Sequence, residues 1–170
     1  MFVSPQEILN QIELKKDATA ADLGAGSGGW TLPLAKKLDK GRVLAVDLQE
    51  EPLSALAGEA KAQGLRNISF IVADVENAIP GIADESCDFV LATNLLFQLE
   101  NPADFFNEVS RILKPAGQFL LVDWKPGTGV GPQGARVAKE QAQEMAQARG
   151  FKLKRELNAQ AMHYGLLFEK

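Results

Sequence analysis

The chain has 170 residues, 46% hydrophobic and 24% charged, the balance of an ordinary globular domain with material for one core rather than two. Its formal charge of −4 gives no long-range pull on nucleic acid, and the one small basic cluster, Lys152-Leu153-Lys154-Arg155, reads as a solvated strand. A single cysteine, Cys87, excludes an internal disulfide and a multi-cysteine metal cluster; no stretch is long enough to span a membrane, and Met1-Phe2-Val3-Ser4-Pro5 lacks the regions of a secretion leader, so one cytoplasmic domain over residues 1–170 is expected.

Ser4 as N-cap, Pro5 at the first helical position and Glu7 completing a capping box predict an opening helix with Ile8, Leu9 and Ile12 on one face. Thr19–Leu23 reads as a strand, and a helix from Trp30 to Leu38 stops before Gly41. Arg42–Asp47 is a second, buried strand; the spacing of Leu53, Leu56, Ala57 and Ala60 predicts a helix over Glu51–Gln63, closed by Gly64. Strands follow at Ile68–Ala73 and Cys87–Thr93, joined by a loop around Pro80-Gly81 and Asp84-Glu85-Ser86 in which any helix is short, and Cys87 reads as a small core hydrophobe. Pro102 begins a helix with Phe105, Phe106, Val109, Ile112 and Leu113 on its apolar face, and Lys114-Pro115-Ala116-Gly117 ends it. A fifth strand spans Gln118–Asp123, the glycine-rich segment Pro126–Pro132 leads into a helix from Ala135 to Arg149, and Phe151–Leu157 and His163–Glu169 are placed to pair as an antiparallel hairpin. Strands alternating with helices predict an α/β fold, a mostly parallel sheet with helices on both faces.

The densest signal is Thr19-Ala20-Ala21-Asp22-Leu23-Gly24-Ala25-Gly26-Ser27-Gly28-Gly29-Trp30, a strand running through a glycine turn into a helix. Glycines admit torsions that other residues resist and let a ligand approach the main chain, while the N–H groups opening the next helix favour an anion. Two cofactor classes fit. Gly24, Gly26 and Gly29 satisfy the dinucleotide pattern, with Asp47 about 20 residues on as a ribose-binding acid. Asp22 two positions before the first glycine, the additional Gly28, and Asp74 at the end of a later strand favour the other class. The run Asp22-Leu23-Gly24-Ala25-Gly26-Ser27-Gly28 resembles the first motif of class I S-adenosylmethionine-dependent methyltransferases, and Asp47 and Asp74 fall where that family carries its second and third motifs.

The resemblance covers about Pro5 to Lys170 and implies a Rossmann-like seven-stranded sheet of order 3-2-1-4-5-7-6 with the last strand antiparallel. It also implies roles. Gly24, Gly26 and Gly28, with Ala25 and Ser27 between them, would cradle the cofactor, and Asp22 would support its amino group. Asp47 would accept from both ribose hydroxyls, Leu48 would cover one face of the adenine, Asp74 would accept from the adenine amino group, and the Val75 N–H would donate to the ring. For each acid the plain alternative is a cap or turn residue, but three aspartates at three successive strand ends exceed what turns alone require.

Small-molecule members of the family, including those acting on ubiquinone and menaquinone precursors, often carry Asn followed by a His-His pair after the fourth strand. Here Asn94 is present, within reach of the methionine portion, but Phe97 and Gln98 replace the pair. The segment Thr93-Asn94-Leu95-Leu96 also departs from the motif of enzymes that methylate amides of nucleobases or glutamine, and one cysteine is too few for an arsenite methyltransferase. The single histidine, His163, and its neighbour Tyr164 begin the last strand; if it is antiparallel they lie at the edge where the other strands end, which makes them the general-base candidates. Trp124 and Lys125 are candidates to line an acceptor pocket, and Trp30 either packs in the core or helps close the cofactor site.

The resemblance therefore implies in-line methyl transfer from S-adenosyl-L-methionine to a small organic acceptor, leaving S-adenosyl-L-homocysteine, with no metal, nucleic acid or membrane involved. The alternatives are a non-catalytic S-adenosylmethionine-binding module and a nicotinamide-dependent oxidoreductase. The segments before the first strand and after the fifth are short, so the acceptor pocket stays open unless a loop folds over it or a second chain, as in a homodimer, covers it.

Overall fold

The computed structural model describes residues 4–132 and 134–170, so the leader reading of Met1–Val3 lies outside the described residues. Seven strands form one sheet: β1 (Thr19–Leu23), β2 (Arg42–Asp47), β3 (Ile68–Val72), β4 (Cys87–Thr93), β5 (Leu113–Trp124), β6 (Lys152–Leu157) and β7 (His163–Glu169). Their spatial order is β3-β2-β1-β4-β5-β7-β6, with β7 antiparallel to both neighbours and the other pairings parallel. Order and hand of pairing match the Rossmann-like expectation.

Successive side chains on a strand point to opposite faces, and both faces of this sheet are covered. On one, Ala21, Leu23, Val90, Phe119, Leu121 and Phe168 pack against α4 (Pro102–Ile112) and α5 (Lys139–Gln147). Phe119 is the hub there, its ring 6.2, 6.1, 5.6 and 5.8 Å from those of Phe105, Phe106, Phe151 and Phe168. On the other, Ala20, Val43, Phe89, Leu91 and Leu120 meet α1 (Pro5–Asn10) and α2 (Thr31–Lys37), while Ala45 meets Leu53 and Leu56 of α3 (Glu50–Ala62). The near-continuous burial of β1, β2 and β4 explains why these segments are apolar runs rather than alternating ones.

Local signals set the element ends. The Ser4 hydroxyl accepts from the Glu7 N–H at 3.4 Å, and the Glu7 carboxylate accepts from Gln160 at 3.0 Å, tying α1 to the β6–β7 turn. Gly64, at φ +70°, lets Leu65 N–H reach the Ala60 carbonyl at 2.9 Å and Gly64 N–H the Lys61 carbonyl at 3.1 Å, which caps α3. The β3–β4 connection holds no helix; Glu108 of α4 accepts from Ile79 N–H at 2.8 Å while paired with Arg111, whose guanidinium also donates to the Ile82 carbonyl at 2.9 Å.

Two elements differ from expectation by more than one residue. Lys114-Pro115-Ala116-Gly117 stops α4 at Ile112, yet the strand already begins at Leu113, which pairs with Cys87 before the chain bulges and rejoins the ladder at Gln118 opposite Phe89. Ala116, at φ +61°, donates to the Lys170 carbonyl and Gly117 accepts from Lys170 N–H, so the bulge is pinned by the end of β7. The fifth helix ends at Gln147 rather than Arg149 and starts at Lys139 rather than Ala135, the late start arising because Arg136 is taken by the glycine-rich loop. Its guanidinium donates to the carbonyls of Lys125, Val130 and Pro132 and to the Thr128 hydroxyl, and lies 5.2 Å from the Trp124 ring centroid. Among the described residues no helix is long and apolar enough to cross a membrane.

Phe119→Ala is expected to lower the unfolding free energy by about 3–5 kcal/mol, since the other four rings cannot close over the vacated volume. Urea denaturation followed by circular dichroism measures it.

Candidate functional site

In an open parallel sheet a crevice forms where chain connections leave neighbouring strands in opposite directions, here between β1 and β4. A cleft of about 470 Å³ lies there, at the carboxyl ends of the strands. Its floor is the turn after β1, where Gly24, Gly26 and Gly28 take φ of +77°, +52° and +92°. A Cβ on Gly28 would stand 2.1 Å from Leu56 Cδ1 of α3, and one on Gly24 3.0 Å from Leu95 Cδ1 of the turn after β4. Nothing lies within 4 Å of the corresponding position on Gly26, which faces the open cleft. The turn is thus wedged on two sides and bare on the third, with Gly24 and Ala25 N–H both donating to the Val46 carbonyl at 2.8 and 2.9 Å.

The strand-end aspartates differ in how fully they are satisfied. Asp47 closes β2 and binds the glycine turn directly: its Oδ2 accepts from Gly26 N–H at 2.8 Å and its Oδ1 from Gln49 N–H at 2.9 Å, leaving further lone pairs toward the cleft. Asp74 shapes the turn after β3, accepting from Glu76 N–H and from the Asn77 amide, each at 2.9 Å. Asp22 is 1% exposed behind the glycine turn; its Oδ2 accepts from the Thr31 hydroxyl at 2.6 Å and its Oδ1 has no partner. Burial pushes the Asp22 carboxyl up to about 7, the Thr31 bond opposing this and the Asp47 charge adding to it.

Leu48, 67% exposed, and the buried Val75 stand on the cleft wall. Opposite them Asn94 is held at φ +54°, its N–H on the Val122 carbonyl at 2.8 Å and its own carbonyl accepting from Gln98 Nε2 at 2.8 Å, while its Oδ1 is buried without a partner. The structure therefore gathers Gly24, Ala25, Gly26, Ser27, Asp47, Leu48, Asp74, Val75 and Asn94 around one cleft, with Asp22 and Gly28 behind it.

A residue absent from the sequence reading organises this wall. Asp123, at the carboxyl end of β5 and 2% exposed, accepts from Leu95 N–H at 3.0 Å, Leu96 N–H at 2.8 Å and Trp124 N–H at 2.7 Å. Burial raises its pKa and these three bonds oppose the rise. It fixes the turn that positions Asn94 and Leu95, and its signal was the same as for the others: an aspartate ending an apolar strand, Leu120-Leu121-Val122-Asp123. Glu76 was also missed; its carboxylate accepts from the Glu100 N–H at 3.1 Å and from the Asn101 N–H, bridging the two walls, and an exposed-looking Glu carries no such signal.

The general-base candidates are not in this cleft. β7 does begin at the expected sheet edge, with His163 opposite Trp124 and Tyr164 opposite Asp123, but the end of β5 stands between them and β4. They line a separate cavity of about 450 Å³ with Lys125, Ala138 and Gln160. The His163 ring lies 4.1 Å from that of Trp124, and neither of its nitrogens has a partner; burial lowers its pKa, and the charges of Arg136 and Lys125 lower it further. The Tyr164 hydroxyl is likewise unpartnered, and burial, then Asp123 and Glu140, raise its pKa. Trp124 packs between His163 and Arg136 instead of lining the cleft, Lys125 belongs to the second cavity, Trp30 is a core residue beside α1, and Cys87 is fully buried.

Comparison with known proteins agrees with this geometry. Residues 21–121 match the family described as the methyltransferase domain. The chain is 28% identical over 122 residues to a demethylmenaquinone methyltransferase of Staphylococcus saprophyticus, covering 69% of this chain and 49% of that protein. It is 32% identical over 109 residues to a highly reducing polyketide synthase of Aspergillus nomiae, covering 60% of this chain and 4% of the synthase. The chain thus spans half or less of the length of these relatives. A crystal structure of a SAM-dependent methyltransferase from Aquifex aeolicus superposes with a TM-score of 0.90 at 26% identity, over 99% of this chain and 90% of that one.

Asp123→Ala would leave three backbone N–H groups without their acceptor. The expected result is faster amide hydrogen exchange at Leu95 and Leu96, with exchange in β1 and β2 unchanged.

Proposed function

The chain belongs to the methyltransferase domain family, and from that premise we propose that it transfers a methyl group from S-adenosylmethionine to a small organic acceptor. The observation that carries the reading is the Asp47 carboxylate bonded to Gly26 N–H where the glycine turn is bare toward the cleft. That pairing puts an acid with spare lone pairs beside a backbone that a ligand can touch.

The residues present fit the nucleoside. Asp47 binds the two ribose hydroxyls, Leu48 and Val75 enclose the base, and Asp74, already oriented by Glu76 N–H, accepts from the adenine amino group. The orphaned Oδ1 of Asp22 and Oδ1 of Asn94 are two unsatisfied acceptors on either side of the turn, and an ammonium group offers the donors they lack. When bound, S-adenosylmethionine supplies a methyl carbon on a sulfonium sulfur; an acceptor lone pair forms the new bond as the carbon–sulfur bond breaks, and S-adenosylhomocysteine leaves as the neutral thioether. The task of the chain is positioning. Asp47 and the turn hold one end, and Asn94, braced by Asp123, and Leu95 set the wall toward the acceptor.

Between Thr93 and Leu99 the wall contributes the amides of Asn94 and Gln98 but no ionisable group. That favours acceptors carrying a free lone pair or an acidic proton that water removes, over those that need an enzyme base.

Calorimetric titration with S-adenosylmethionine, S-adenosylhomocysteine and NAD, followed by a methyl-release assay on a panel of acceptors, tests the reading. Binding of NAD alone would overturn it. Asp47→Ala is expected to lose about 1.5–3 kcal/mol of binding, about ten- to hundred-fold in affinity, while the protein stays folded by circular dichroism.

Asp22 adds a pH dependence. With its pKa raised in the folded protein, the native state holds a proton that the unfolded chain releases, so the unliganded protein loses stability as pH rises from the ordinary carboxylate range through about 7 and levels off above. An ammonium group placed against Asp22 lowers that pKa. Binding at about pH 6 is therefore expected to release a proton, read calorimetrically in buffers of different ionisation enthalpy, and Asp22→Asn is expected to abolish the release.

A further inference from the structure

The two edges of the sheet are built differently. β6 presents Lys152, Lys154, Arg155 and Glu156, charges that keep an edge solvated and unpaired. β3, Ile68-Ser69-Phe70-Ile71-Val72, carries no charge and no proline, and exposes Phe70 at 40% and Val72 at 55%. Its backbone is also open. Val43 N–H donates to the Asn67 carbonyl and Ala73 N–H to the Asp47 carbonyl, so the odd-numbered residues of β3 bond to β2. The N–H and C=O groups of Ile68, Phe70 and Val72 consequently point away from the sheet.

We propose that β3 pairs with β3 of a second copy of this chain, antiparallel about a two-fold axis through Phe70, joining the two sheets into one. The proposal is independent of the methyl-transfer reading. A two-fold axis makes the edge its own partner, so the surface must be self-complementary. Centred on Phe70, the ladder overlaps all of Ile68–Val72. Phe70 faces Phe70, and Ile68 faces Val72, in hydrogen-bonded pairs that use every outward backbone group of the strand. The same register sets the exposed Arg66 of each copy opposite Asp74 of the other, so the flanking charges are of opposite sign at both ends. Asp74 lines the cofactor cleft, which places the second copy's arginine at its rim.

A five-residue strand pair falls short of the roughly 1,200 Å² that stable interfaces bury, so the adjoining helices must meet as well. α3 packs on β2 and β3, and its exposed residues include Ser54, Ala55, Gly58 and Ala62. Gly58 sits inside the helix, where glycine costs about 1 kcal/mol against alanine. A Cβ there would meet nothing within 4 Å, so the packing of a single copy does not require the glycine. Two such helices, separated by about two strand spacings, or about 10 Å, across the axis, would lie at ordinary helix-packing distance.

Light scattering on the full chain across a concentration series is expected to approach twice 18.4 kDa, and Phe70→Lys to hold it at 18.4 kDa with unchanged circular dichroism. Phe70→Cys, whose paired Cα atoms would lie about 5.5 Å apart, is expected to form a disulfide-linked dimer under mild oxidation. Lys154→Cys on the other edge is expected not to. A mass fixed at 18.4 kDa, a dimer that persists in Phe70→Lys, or cross-linking at Lys154→Cys but not at Phe70→Cys would each overturn the proposal.

Discussion

The passage of the chain from β1 to α2 is the constraint on which this molecule turns. Leu56 crowds out a side chain on Gly28, Leu95 would have to give way for one on Gly24, and the backbone at both adopts torsions that favour glycine. While the turn is gripped at two points, its face at Gly26 stays bare. Asp47 can then bond to that face, and the cleft takes its shape from the bond. The leucines belong to the core and the glycines to the site, so stability and binding are set by the same contacts.

The carboxylates at the strand ends show how one residue type serves two purposes. Asp123 and Asp22 are both buried at the carboxyl end of a central strand, and burial raises the pKa of each. Asp123 receives three backbone N–H groups and is internally complete, a brace for the wall after β4. Asp22 receives a single hydroxyl and keeps an oxygen with nothing to bond. Leaving a buried acceptor unsatisfied costs about 1–3 kcal/mol. The family to which the chain belongs binds a ligand carrying an ammonium group, and that group would offset the cost. Completeness of hydrogen bonding, more than burial or position, separates the two acids.

The sheet also partitions the chemistry. β4 and β5 are adjacent, and Asp123 and Trp124 at the end of β5 form the divide between the cleft and the cavity around His163. An imidazole at the correct edge of the sheet is thus still separated by two strands, β4 and β5, from the strand that carries the turn. The same topology leaves two outer strands with opposite characters, a charged β6 and an uncharged β3, and only the latter is suited to a neighbour.

Much of this was legible in the residues. Apolar runs bounded by turn signals located all seven strands, and their order followed from the resemblance carried by Asp22–Gly28, Asp47 and Asp74, because a strand-end acid or a glycine turn is a property of a short, contiguous segment. What escaped depended on contacts between distant segments. The start of α5 was shifted by Arg136 reaching back to the carbonyls of the glycine-rich loop, and the start of β5 by the end of β7 pinning the bulge at Ala116. Asp123 was unremarkable until the N–H groups of Leu95 and Leu96 were brought to it, and His163 lines a cavity apart from the glycine turn because edge position along a strand says nothing about which strand intervenes. Periodicity and motif report on a chain's neighbours in sequence; hydrogen-bond satisfaction and the separation of one cavity from another arise only when remote segments are packed side by side.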